Sequence, residues 1–151
     1  MLGRLFQKSP RSDPLQLEAY ASAVRPLFSR VSALYEAWFE RFSLEARDED
    51  LANLAAINRW ETAGLLEAAR LLDPPKGLER AHGILLRVLE RSARGSHLLS
   101  SGYRFNSSRA RCDGQALLLE GAERLLHCQK LLEQCGVSVA PGEPAAALSA
   151  E

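Results

Sequence analysis

The chain has 151 residues, 19 Lys+Arg against 19 Asp+Glu, 46% hydrophobic residues and 25% charged ones. That length suits one domain able to bury roughly 68–70% of its extended surface, and the composition excludes global disorder. A formal net charge of zero removes the bulk electrostatic case for a nucleic-acid or membrane-surface partner. No apolar run approaches the ~20 residues that cross a bilayer.

Residues 1–12 set Arg4, Lys8 and Arg11 around Leu2, Leu5 and Phe6. They lack the apolar core of a secretory signal and read as a flexible N-terminus. Asp13-Pro14 then offers an N-cap followed by a proline suited to the first helical position. Leu17, Tyr20, Val24, Leu27, Val31, Leu34 and Trp38 recur at the three- and four-residue steps of an amphipathic helix. Pro26 removes one backbone hydrogen bond and predicts a kink near Ser22 to Pro26. Phe28, Tyr35, Phe39 and Phe42 fall outside the main seam and are candidate interface residues.

Asp48 or Asp50 is expected to cap a second helix with the seam Leu51, Leu54, Asn58, Glu61, Leu65, Ala68 and Leu72, with Ile57 and Trp60 alongside. Asp73-Pro74-Pro75-Lys76-Gly77 ends it, because proline disfavours helix in the residue before it. A third helix is predicted from about Leu78 to Arg104. A fourth follows a cap at Asn106 or Ser107 and stops at Gly136. No segment alternates with period two, so no strand is predicted. The expected fold is all-α: an up-down antiparallel four-helix bundle over 13–136, with 137–151 as a disordered C-terminal tail.

Glu79-Arg80-Ala81-His82 has the Glu-x-x-His spacing of di-metal bundles, but the second copy that such sites need is missing. Glu79 and His82 are therefore the metal candidates of a chain in which no metal site is expected. Cys112, Cys128 and Cys135 lack zinc-ligand spacing. Being odd in number, they argue against a disulfide framework and for a reducing cytoplasm. Cys128 and Cys135 are read as small core hydrophobes. There is no nucleophile elbow and no phosphate loop, so no catalytic residue, cofactor or enzymatic activity is expected.

Asn58 and Glu61 on the second seam suggest a polar core pair or a pocket. Antiparallel pairing sets Asn58 against Ser92 and lets Arg91 or Arg94 reach Glu61. Ser92, Gly95, Ser96, Gly102, Gly114, Gly121 and Ala122 predict close packing of helices three and four, the alternative being a cavity or partner surface beside them. Residues 91–112 are basic. Arg104, Phe105, Arg109 and Arg111 are candidate anion or RNA contacts, unless the acidic 45–50 loop at the same bundle end neutralises them.

Three features taken together resemble a class of bacterial helical-bundle domains without an established activity: Tyr20-x5-Pro26, the Leu71-Leu72-Asp73-Pro74-Pro75 turn and Leu78-x3-His82. The resemblance implies the bundle fold and no catalytic residue. Many such domains look like exported lipoproteins, whereas no signal or lipidation cysteine is read here. The sequence thus points to a non-enzymatic protein–protein interaction or structural module, which could form a homodimer. A bundle binding a small ligand or metal is the alternative, and an anion or RNA contact through the basic tip is a second.

Overall fold

The computed structural model describes residues 13–43 and 46–139. They form four helices, α1 (Pro14–Ser43), α2 (Asp48–Arg70), α3 (Glu79–Arg104) and α4 (Ser108–Gln134), with no strand among the described residues. Successive helices meet at their joining turns, as in an up-down bundle. Ala69 bonds His82 at the α2–α3 turn, while Gly102 abuts Arg111 at the α3–α4 turn. The expectations for residues 1–12 lie outside the described residues.

Local chemistry sets the helix ends. The Leu15 amide donates to Asp13 Oδ1 at 3.1 Å, as the Asp-Pro start predicts. At α2 the expectation is corrected: Arg47 occupies the N-cap without a side-chain bond, and Asp48, Glu49 and Asp50 fill the first turn. There each carboxylate faces the positive end of the helix dipole, worth about 0.3–1 kcal/mol. Asn106 adopts a left-handed φ of 54°, the Ser107 amide reaches back to Gly102 O at 2.9 Å, and the Ser107 hydroxyl accepts from the Ala110 amide at 3.2 Å. The chain turns and recaps within these residues.

The last helix ends in a Schellman motif. Gly136 has φ 87°, its amide bonds Glu133 O at 3.0 Å, and the Val137 amide bonds Leu132 O at 2.9 Å. That turn aims the chain back at the bundle. Val137 and Val139 are buried, and Arg25 Nε donates to Ser138 O at 2.9 Å. The tail expected from 137 is therefore corrected for 137–139, which dock on α1; residues 140–151 lie outside the described residues. Pro26 leaves α1 continuous. Ser22 and Pro26 are both on its exposed side, where water can satisfy the freed carbonyl.

Helix α3 is the packing centre, close against α2 and α4, while α1 stands further off. Glycines explain the first relation. A Cβ on Gly114 would lie 2.7 Å from Leu99 Cγ and 2.8 Å from Gly95 O, and one on Gly102 would lie 2.8 Å from the Arg111 amide. Large side chains explain the second: Trp38, Phe28, Val24 and Val31 of α1 are almost wholly buried and fill the wider gap. The interface expectation is corrected accordingly. Phe28 and Tyr35 belong to the core, Phe39 is half-buried against it, and Phe42 alone of the four is exposed.

Helix α2 is rotated from its predicted seam. Its inward residues are Leu51, Ala52, Ala55, Asn58, Thr62 and Ala69; Leu54, Glu61, Leu65 and Ala68 lie at the margins. Small side chains win the inner face because they let α2 approach α3 closely. Ile57 and Trp60, expected beside the core, point outward instead. Cys128 is buried as expected, but Cys135 is exposed, past the end of the packed seam.

Candidate functional site

Two polar clusters lie inside the bundle. At its middle, the Tyr35 and Ser92 hydroxyls share a hydrogen bond, and Gly121 leaves the space that the phenol enters, since a Cβ there would collide with the Tyr35 oxygen. Asn58, Thr62 and Ser96 line the adjoining cavity, which holds about 10 Å³. That admits about one water and no larger ligand. Asn58 and Ser92, expected to face each other, both line this cavity. Burial pushes the Tyr35 phenol up to about 12, while its bond to Ser92 acts the other way. The phenol stays protonated at neutral pH, so the cluster orders the core and offers no acid or base.

Glu61 takes no part in it. Its carboxylate lies 3.4 Å from Arg30 Nε on α1, and Arg91, the partner expected from the α2–α3 register, pairs instead with Glu120 at 3.6 Å. Arg94 is exposed. The rotation of α2 moves Glu61 from the seam to the edge facing α1, where a solvated pair contributes no more than about 1 kcal/mol.

The second cluster sits near the Pro74-Pro75 turn. His82 Nδ1 lies 2.8 Å from the Tyr20 hydroxyl, the rings meet edge to face with centroids 5.6 Å apart, and the Ala69 backbone holds the imidazole from the other side. Nearby, Cys128 Sγ donates to Ala81 O at 3.3 Å. Burial pushes that thiol up to about 12 and raises the Tyr20 phenol as well. Both are poor nucleophiles at neutral pH. Glu79 turns away, its Oε2 accepting from the Gly77 amide at 2.8 Å. The two metal candidates of the sequence therefore do not converge. Among the described residues, no group of three or more His, Cys, Asp or Glu side chains could hold a metal ion.

Burial also lowers the His82 pKa, against smaller opposing effects of the Ala69 backbone and Asp73. The neutral imidazole is thus favoured in the fold, and below an unfolded value near 6.5 the unfolded chain binds the extra proton. Stability should therefore fall as pH drops from about 7 towards 5, with a slope of at most about 1.4 kcal/mol per pH unit. Thermal denaturation across that range should show the decline in the natural chain and a flatter profile in His82→Gln. Identical slopes would contradict the assignment.

The basic tip is partly neutralised, as the topology suggests. Arg111 Nη1 lies 3.8 Å from Asp48 Oδ2 with its guanidinium 5.4 Å from the centre of the Tyr103 ring, and Arg109 lies 3.9 Å from Asp113. Arg104 and Phe105 are exposed. Two of the four anion candidates thus carry acidic partners. Beside them an open apolar cleft of about 470 Å³ runs between Phe42, Tyr103, Cys112 and Leu119.

The remaining surface feature escaped the sequence reading. Along the outer side of α2, Ile57, Trp60 and Leu71 are 55%, 81% and 87% exposed, and Gly64 between them has nothing within 4 Å of a would-be Cβ. Positions 57, 60, 64, 67 and 71 follow the three- and four-residue steps of one helix face, opposite Ala55, Thr62 and Ala69, with Gly64 and Glu67 between Trp60 and Leu71. The signal was present in the sequence, because Ile57 and Trp60 stand outside the leucine seam of the same helix. No helix among the described residues is long and apolar enough to cross a membrane. No family model, curated protein or solved structure matches this chain.

Proposed function

We propose that the protein is a non-enzymatic interaction module of the cytoplasm whose contact surface is the outer face of α2. The observation that carries this reading is a group of large apolar side chains left outside the core. The inner face of α2 is built from Leu51, Ala52, Ala55, Asn58, Thr62 and Ala69, with Leu54, Leu65 and Leu66 packed against the core, whereas Ile57, Trp60 and, just past the helix end, Leu71 face outward. Isolated apolar side chains on a surface are ordinary, but an aligned group of large ones is characteristic of contact sites. Tryptophan in particular is enriched among residues that dominate binding energy. On the three- and four-residue steps of that face Glu67 lies between Trp60 and Leu71, as Glu123 lies between the outward leucines Leu119 and Leu126 of α4.

The surface replaces the helix-one aromatics as the proposed interface, since Phe28 and Tyr35 are committed to the core. The test is a photo-reactive amino acid placed at position 60 in cells that produce the chain, with position 40 on exposed α1 as the control. The account expects a discrete adduct from position 60 that is lost with Ile57→Ser and Leu71→Ser together. Equal, diffuse labelling from both positions would contradict it.

A further inference from the structure

The cavity at the middle of the bundle is bordered by all four helices, with Tyr35 from α1, Asn58 and Thr62 from α2, Ser92 and Ser96 from α3 and Leu118 from α4. Three of these side chains are polar, enclosed and unanswered. Asn58, Thr62 and Ser96 keep only 4%, 2% and 2% of their surface. Among the described residues, no hydrogen bond to another protein group engages their side chains. Tyr35 and Ser92 satisfy each other in part, since one hydroxyl donates and the proton of the other is left over.

These atoms are not sealed in. Among the described residues, Arg91 Nη1 is the one side-chain nitrogen or oxygen that is both wholly enclosed and without a partner. The polar atoms of Asn58, Thr62 and Ser96 therefore still touch space, and the space they share is the cavity. A void of about 10 Å³ is roughly one water across. A polar atom on its border then lies about a hydrogen-bond length from its centre.

We infer that this cavity is a binding site for a single water molecule, held by Asn58 and Thr62 of α2 and Ser96 of α3. Internal waters make about three hydrogen bonds each, and this site offers an amide and two hydroxyls. Water both donates and accepts, so it answers the amide N–H, the amide oxygen and the hydroxyls alike. An ion does not fit, because no ionised side chain lines the cavity and an unpaired charge in the core is costly. An apolar atom of the same size would leave the polar groups unbonded. The inference is independent of the interaction reading. It ties α2 to α3 across a gap that no direct hydrogen bond closes, beside the Tyr35–Ser92 bond that joins α1 to α3.

Oxygen-17 relaxation dispersion of the solvent, measured on the purified full-length chain, counts waters held longer than the protein takes to tumble. The natural chain should hold at least one more such water than the Asn58→Leu/Thr62→Val double variant. That variant nearly keeps the side-chain volumes and makes the α2 side of the cavity apolar, and apolar cavities stay dry. An equal count in the natural chain and the folded double variant would overturn the inference. If the double variant fails to fold, a crystal structure of the natural chain at atomic resolution decides. Density for a water within about 3 Å of the Asn58 amide and of the Thr62 or Ser96 hydroxyl supports the site, and a cavity with no such density overturns it.

Discussion

Gly114→Ala is expected to destabilise the bundle by about 1–2 kcal/mol, although alanine is the better helix former by about 1 kcal/mol. The added methyl would lie 2.8 Å from Gly95 O and 2.7 Å from Leu99 Cγ. A backbone oxygen cannot rotate away as a side chain can, so α3 and α4 must separate along their contact. Overpacking of this kind costs about 1–3 kcal/mol and occasionally more. For a chain of this length the net effect corresponds to a fall in Tm of roughly 2–8 °C. Gly64→Ala is the internal control: the same substitution, in open space, should stabilise by up to about 1 kcal/mol. Thermal or urea denaturation reads both, and effects of the same sign at the two glycines would contradict the packing described.

The second large effect concerns the centre of the core. Gly121→Ala places a methyl where the Tyr35 hydroxyl sits, and should cost about 2 kcal/mol. Tyr35→Phe removes that hydroxyl and leaves the buried Ser92 oxygen without its partner, a loss of about 1–3 kcal/mol. Combined, the variants relieve each other, because the methyl then fills space that the phenol has vacated. The double variant should lie closer to the natural chain than the sum of the singles by about 1–2 kcal/mol. Strict additivity would show that Gly121 and Tyr35 do not share this site.

These expectations identify what the sequence made legible. Helix number, order and ends followed from proline, glycine and capping residues, whose effects are local. Asp13-Pro14, Ser107 and Gly136 act where the sequence places them. The face each helix buries is a different matter, because it depends on how near its neighbours come. In α1 the large seam residues were the core. In α2 the leucines suggested one face, and Leu51 is buried there, but Ala55, Thr62 and Ala69 take the innermost positions against α3 while Leu54 and Leu65 pack at its margin. That single rotation moved Glu61 out to Arg30 and left Arg91 to Glu120.

The same reasoning separates the candidate sites. Glu79 and His82 share a helical spacing, but one supports the turn backbone and the other meets Tyr20 inside. Spacing on one helix cannot report what the facing helix supplies. Asn58 and Ser92 line the same small cavity because the short Pro74-Pro75 turn fixes the α2–α3 register. The outward position of Ile57, Trp60 and Leu71 was not legible because spacing along a helix does not say which of its faces the neighbours cover.

Radical footprinting of Trp60 in cells, compared with the dilute purified chain, tests the central claim most directly. Trp60 and Phe105 are 81% and 76% exposed in the single chain, so Phe105 serves as a reference outside the seam, while buried Trp38 should stay unreactive in both samples. Whatever occupies the face, the account predicts that oxidation of Trp60 drops several-fold in cells relative to Phe105. Equal reactivity of Trp60 in cells and in dilute solution, scaled to Phe105, would mean that the outer face of α2 is not a contact surface.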